Sequence, residues 1–283
     1  MFYPPMIPVP RERSFDDDRY WFEPLVEGVR LQLWMDNGKV RLYTRHGFDI
    51  TAQYPEFWRV PVADGADTVL DGVATAFDPA SGESRSERLR ERYLLRKPMD
   101  IREAATVCPA RYLVFDLLRY RGEDLRNRPL SFRRRLLRRV LEENGTIGRM
   151  PAVERFGNFL YEALREQPAV GLVAKRKSSV YAAGRDEGWQ RIDRYRYENV
   201  TIAGYRKIGF GWLVRYADGA EGIVEREVPQ PYRRAFQGVA RAIYTGEDRE
   251  FVYVKPMLTA RIRYRSRTGA EAPREAEFVD FAV

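Results

Sequence analysis

The sequence predicts an α+β protein of two domains. Three observations lead there. Apolar and polar residues alternate with a period of two along much of the chain, a few helical stripes interrupt them, and the character changes near Arg194-Tyr195-Arg196-Tyr197. A length of 283 residues is enough for two separate cores. The expected boundary gives domains 1–195 and 196–283.

In the first domain, residues 28–45 alternate around the turn Asp36-Asn37-Gly38 and predict a β-hairpin with one buried face. Thr68–Phe77 and Ala110–Leu118 predict further strands, the second so apolar that it belongs in the middle of a sheet. The charged stretch Ser84–Arg102 between them predicts a helix or a surface excursion. Ser131 is a candidate N-cap for a helix Phe132–Asn144, with Phe132, Leu136, Leu137, Val140 and Leu141 on one stripe and Gly145 at its end. Its Arg133, Arg134, Arg135, Arg138 and Arg139 are assigned to a solvated face.

In the second domain, Glu198–Arg206, Trp212–Tyr216 and Glu221–Glu227 predict strands, with a hairpin turn at Asp218-Gly219. A helix from Pro231 to about Tyr244 follows, then strands around Phe251–Lys255, Leu258–Arg265 and Glu277–Phe281. Strands, one helix and strands again within roughly 85 residues fit a small Greek-key barrel.

Composition narrows the chemistry. Residues are 44% hydrophobic and 32% charged, without an apolar run of membrane-spanning length or a charged-then-apolar leader, so a soluble, unprocessed cytoplasmic protein is expected. The single cysteine, Cys108, cannot close an internal disulfide and reads as a small core hydrophobe. With His46 the only histidine, and read as a loop residue, no Cys/His zinc pattern exists and no metal site is expected. A net charge of +8, carried by 43 Arg and 6 Lys, favours a polyanionic partner. Guanidinium suits bidentate phosphate contacts, although a GC-rich genome also produces such a bias.

Several motifs stand in order: Glu23-Pro24-Leu25-Val26-Glu27-Gly28-Val29-Arg30, Thr44-Arg45-His46-Gly47, Leu70-Asp71-Gly72-Val73, Val114-Phe115-Asp116-Leu117, Val170-Gly171-Leu172-Val173-Ala174-Lys175 and Trp189-Gln190-Arg191-Ile192-Asp193. Together with the opening Phe2-Tyr3-Pro4-Pro5-Met6 they resemble the ATP-dependent DNA ligases, specifically short bacterial ones. The resemblance covers essentially the whole chain. It implies an ATP-grasp-like nucleotidyltransferase domain of antiparallel sheets with helices, followed by an OB-fold barrel. It further implies that Glu23 reads the adenine amine, Arg30 binds the nucleotide, Arg45 touches ribose and DNA, Phe115 stacks on adenine, and Lys175 and Arg191 face phosphate. Phe115 is equally read as a core aromatic of a central strand.

The departures fall on one activity. Leu25 stands where the resemblance places the reactive lysine, and an isobutyl group has no lone pair with which to attack phosphorus. Glu27 replaces an aspartate. Val73 and Val170 replace carboxylates that a Mg²⁺ and ribose arrangement needs, and Asp193 reverses a positive charge. Leu25 and the two valines could instead fill the emptied pocket as core residues. Lys175 is the nearest alternative nucleophile by motif, but attack geometry tolerates little displacement.

Arg261, Arg263, Arg265 and Arg267 alternate with apolar or small residues, which places four guanidiniums on one face of a strand. Two readings stand: a phosphate-binding comb contributing roughly −3 to −4 to the salt slope of duplex binding, or a solvated edge strand. Arg45, Lys175, Arg176 and Lys177 favour the first. The run from Lys255 through Arg274 to Phe278 resembles the ligase barrel's own, while the terminal phosphate-binding motif of the family is not visible before Val283. The expectation is a largely non-catalytic, nucleoid-associated protein that embraces nicked or broken duplex DNA in repair or recombination, with DNA-repair proteins as possible partners, no membrane and no cofactor. The alternative is a working ligase that uses another nucleophile, or seals pre-adenylated ends, and takes ATP and Mg²⁺. A third reading is an interaction protein whose former DNA surface docks a protein.

Overall fold

The computed structural model describes residues 2–78, 80, 82, 84–167, 169–267, 271–273 and 275–282. The chain separates into two compact units, Met1–Asp193 and Arg194–Val283. In chain order the first contains β1 (Met6–Pro10), β2 (Asp17–Val26), β3 (Val29–Asp36), β4 (Lys39–Thr44), β5 (Thr68–Thr75), α1 (Ser86–Glu91), α2 (Pro98–Val107), β6 (Arg111–Tyr120) and β7 (Glu123–Asp124). It continues with α3 (Leu130–Val140), β8 (Ile147–Arg149), β9 (Val153–Arg155), α4 (Gly157–Ala163), β10 (Ala169–Arg176) and β11 (Gly184–Asp193).

Two sheets result. One has the order β1-β11-β10-β2-β9; the other has β4-β3-β5-β6-β7, with β8 alongside β6. Pairing is antiparallel except at β1–β11 and β6–β8. The β3–β4 turn places Asn37 and Gly38 at φ of 49° and 73°, the positive values that a two-residue hairpin turn of right-handed twist demands. The expectation of one buried face is corrected here, because β3 is buried on both. Leu31, Leu33 and Met35 join the larger core, while Trp34 faces the other sheet in a smaller core with Met6, Val69, Leu118, Tyr181 and Trp189. Between them Gln32, also buried, accepts from Tyr3 N at 3.2 Å and donates to Tyr3 O at 2.6 Å, so a polar residue inside a strand keeps its hydrogen bonds.

The helix α3 begins at Leu130, after Pro129, without a side-chain cap at Ser131, and ends at Val140 rather than Asn144. The assignment of all its arginines to a solvated face is also corrected: Arg133 and Arg134 are buried, whereas Arg135, Arg138 and Arg139 are exposed. The charged stretch before β6 resolves into α1, a 3-10 turn and α2. Cys108 is buried in the larger core, and burial raises its thiol pKa.

The second unit contains β12 (Arg196–Arg206), β13 (Trp212–Arg215), β14 (Glu221–Val224), α5 (Gln230–Ala240), β15 (Tyr244–Glu247), β16 (Phe251–Tyr264) and β17 (Glu277–Ala282). The order is β14-β13-β12-β16-β15, with β17 on β16. Two predicted strands, Phe251–Lys255 and Leu258–Arg265, are one long strand, and β15 falls where the sequence shows a helix end. Trp212 centres the core, with Phe236, Phe278 and Phe281 at ring centroids of 5.1, 5.3 and 5.6 Å. Among the described residues no helix is long and apolar enough to cross a membrane. Both units are α+β.

Gly72 shows how tightly the first unit is built. A Cβ there would lie 2.6 Å from Leu113 O and 2.7 Å from the Tyr112 ring. Gly72→Ala is expected to cost about 1–3 kcal/mol through forced repacking, measured as the shift of the first unit's chemical-denaturation midpoint.

Candidate functional site

The first group of site residues meets where the two sheets of the first unit face each other. Glu23 on β2 is buried, and Lys175 on β10 brings Nζ to 2.7 Å from Glu23 Oε2 as an ion pair. Arg134, on α3, donates from Nη1 to Glu23 Oε1 and from Nη2 to Met150 O at 3.2 Å. One carboxylate therefore answers two buried cations. The Lys175 ammonium also sits 3.8 Å from the Phe115 ring centroid and 4.1 Å from that of Trp189, in a box closed by two nearly perpendicular aromatic rings. Burial lowers the Lys175 pKa, and the Glu23 carboxylate opposes that shift.

A second network crosses the same space. Arg30 on β3 donates to Asp71 at 3.1 and 2.7 Å, to Met6 O at 2.7 Å and to Tyr181 OH at 3.2 Å, while Tyr181 OH donates to Asp71 at 2.6 Å. Burial works against the Arg30 charge, but Asp71 and Tyr181 outweigh it and raise its pKa above the ordinary value. Burial holds the Tyr181 phenol protonated well above its usual range. Below it, Arg133 donates to both oxygens of Asp116 at 2.7 and 2.8 Å, with both side chains fully buried. Sequence reasoning missed Arg133, Arg134 and Asp116 as parts of one charged frame. The signal available was a pair of acidic residues, Glu23 and Asp116, within strands that need buried counter-charges.

The departures from the ligase pattern cluster at one end of this arrangement. Leu25 lies between Pro24, which pairs with Leu172, and Val26, which pairs with Ala169, so it faces the Val170-Gly171 step of β10. Val73 pairs with Arg30, and a Cβ on Gly28 would lie 2.8 Å from its Cγ2. Thr75 Oγ1 donates to Glu27 O at 2.8 Å and fixes the Glu27-Gly28 turn against β5. Leu25, Val73 and Glu27 are half-buried and only Val170 is buried, so the reading of Leu25 and Val73 as ordinary core residues is corrected. Arg191 donates to Asp193 Oδ2 at 3.0 Å, which places the reversed charge against the cation beside it. Phe115 is half-buried, and a base stacking on its Lys175 face has to displace the ammonium.

The positions where the ligase pattern supplies oxygen ligands are altered. Two carboxylate positions are valines that offer no oxygen. Among the described residues no group of three or more His, Cys, Asp or Glu side chains could hold a metal ion.

The candidate DNA contacts sort by exposure. Arg45 is exposed on the tight turn Thr44–Gly47, donating to His46 Nε2 at 2.9 Å. Arg176 is exposed and donates to Tyr20 OH at 3.0 Å, whereas Lys177 is paired with Glu154 at 2.8 Å. Lys175 is buried, which corrects its assignment to a phosphate-facing or DNA-binding surface: its neighbour Glu23 draws it inward. In the second unit Arg261 and Arg263 alternate with buried Ile262 and Tyr264 as expected, but β16 ends at Tyr264. Arg263 donates to Glu277 at 2.7 Å, Arg265 lies 3.8 Å from Glu275, and Arg267 donates to Asp218. The comb of four is thus corrected to one exposed cation, Arg261, followed by three that face carboxylates of their own unit. Arg274 and Val283 lie outside the described residues.

The two units define a nucleotidyltransferase fold and an OB-fold. Residues 12–192 match the ATP dependent DNA ligase domain, and the chain belongs to that family. It is 27% identical over 269 residues, 95% of this chain and 94% of the relative, to the SPbeta prophage-derived DNA ligase-like protein LigB of Bacillus subtilis (strain 168). It is 32% identical over 192 residues to a DNA ligase of Pyrobaculum calidifontis, a match spanning 65% of this chain but only 32% of that protein. Among solved structures, a Lig E DNA ligase described as DNA binding with a minimal scaffold shares the fold at a TM-score of 0.65 and 16% identity, covering 98% of this chain and 99% of the other. Mycobacterial DNA ligase D complexed with ATP and MES does so at 0.59 and 22%, covering 98% and 94%.

Removing the shared carboxylate with Glu23→Leu leaves Lys175 and Arg134 buried beside each other and is expected to cost about 3–5 kcal/mol, read by chemical denaturation. Because the lowered Lys175 pKa means that the unfolded chain holds that proton longer, stability should rise with pH between the lowered value and the ordinary 10.5. Unfolding titrations of Lys175→Met across that window should show the rise flattened.

Proposed function

We propose that this chain holds duplex DNA at nicks or ends without adenylating itself, as a non-catalytic accessory in repair or recombination at the nucleoid. The observation that carries the reading is Leu25, a hydrocarbon side chain inside a strand and turn that keep Glu23, Gly28 and Arg30 of the ligase pattern. Nucleotidyl transfer needs a nucleophile positioned against the α-phosphorus and charge stabilisation around the phosphates. Leu25, Val73 and Val170 supply neither. The pocket's own lysine, Lys175, is engaged by Glu23 and stacked between Phe115 and Trp189, a station that favours a framework role over attack. ATP and Mg²⁺ are therefore not part of the proposed activity.

Charge supports the DNA side of the reading. The net charge of +8 gives a long-range attraction to a polyanion. Arg45 and Arg176 in the first unit and Arg261 in the second are exposed guanidiniums able to meet phosphate oxygens. The Bacillus relative, which aligns over nearly the whole chain, is named a DNA ligase-like protein, in keeping with DNA as the partner.

Titration of labelled nicked duplex in increasing salt tests this directly. Three released counterions predict a log–log slope of about −2 to −3, and Arg45→Ala should reduce its magnitude by about 1. Absence of binding at low salt, or affinity indifferent to salt, contradicts the reading. Leu25→Lys alone is expected to leave nick sealing undetectable in a gel assay, since Val73 and Val170 still provide no oxygen; robust sealing by that variant contradicts the account of the pocket.

A further inference from the structure

Beyond the phosphate contact assigned to Arg261, the second unit carries an exposed ring face beside it that a duplex does not explain. On the outer side of the β12–β16 pair, opposite a core that includes Val200, Ile202, Ala260 and Ile262, guanidiniums lie over tyrosines in sequence. Arg261 sits 4.9 Å from the Tyr197 ring centroid, Arg263 lies 4.3 Å from that of Tyr195, and Arg265 lies 5.8 Å from Tyr195. The register produces this ladder: Tyr197 pairs with Arg263 and Asn199 with Arg261 across the two strands. Arg263 and Arg265 already face Glu277 and Glu275. Tyr197, however, is 52% exposed, and no ion pair involves Arg261 among the described residues. Asp280 stands across from Arg261 on β17, and Tyr232 interacts with that carboxylate by hydrogen bonding.

A duplex offers phosphates, sugars and base edges but keeps the faces of its bases stacked and closed. An exposed phenol ring with an adjoining guanidinium plane gains little from that. A single strand offers phosphates and base faces together, and successive bases stack on such planar groups without regard to sequence. We infer that the Tyr195–Tyr197–Arg261–Arg263 ladder is a stacking site for unpaired DNA, such as the single-stranded segment beside a gap or at a frayed end. Tyr197 and Arg261 supply the open planes, and the ion-paired Arg263 holds Tyr195 in the row. The site extends the duplex reading above to a second DNA form, and the two fail separately.

The test uses the full chain and labelled single strands of about 16 nucleotides, one of mixed sequence and one abasic throughout, beside the nicked duplex. The mixed strand is expected to bind more tightly than the abasic one. Tyr197→Ala should weaken the mixed strand by about tenfold and erase that difference, while changing nicked-duplex affinity by less than about twofold. Tyr197→Phe should keep the preference, and Arg261→Lys, which retains charge but loses the plane, should reduce it. Equal binding of the mixed and abasic strands, or a preference that survives Tyr197→Ala, overturns the inference. Binding of the nick without the strand removes this site alone; binding of the strand without the nick removes the duplex reading alone.

Discussion

A carboxylate buried between two sheets needs cations, and Glu23 has two of them. Arg134 reaches it from α3 and Lys175 from the neighbouring strand. Removing one member of such a cluster leaves an uncompensated charge in a poorly solvated interior, so each partner constrains the others. Arg30 with Asp71 and Tyr181, and Arg133 with Asp116, repeat the logic within a short distance along the strands. Arg134 thereby ties β2 to α3, and Arg133 ties α3 to β6, alongside the apolar cluster of Met6, Trp34, Leu118 and Trp189 that both sheets share.

That constraint accounts for the uneven way in which this chain keeps the ligase pattern. Glu23, Arg30, Asp71, Asp116 and Lys175 are tied into the buried frame, and substituting any of them threatens the fold. Leu25, Val73 and Glu27 are half-buried at the edge of the arrangement, where an apolar replacement costs little structure. The positions that depart from the ligase pattern are therefore largely separate from the buried charged frame. On the proposed reading, the positions of the nucleophile and two carboxylates change while the buried frame of Glu23, Arg134 and Lys175 persists.

Much of this was legible in the sequence, and the misses have physical causes. The β3–β4 hairpin was plain because Asn37-Gly38 can adopt positive φ at both positions. The second unit followed from its strand–helix–strand order. The arginines of α3 were misassigned because a helix pattern shows which residues share a stripe, but not that two strands elsewhere will bury carboxylates opposite it. The terminal arginine comb was overcounted for the same reason: alternation placed Arg261 and Arg263 correctly, whereas Glu275, Glu277 and Asp218 reach their partners through folding. Lys175 looked like a phosphate ligand from its motif, and only the proximity of Glu23, Phe115 and Trp189 shows it turned inward.

The central claim is that the pocket retains its frame without its reacting group. Intact-mass spectrometry of the purified chain after incubation with ATP and Mg²⁺, at high protein concentration and without DNA, addresses it most directly. The account predicts a single species at the unmodified mass. A species heavier by one adenylyl group, mapped to Lys175 or to any other residue, contradicts it.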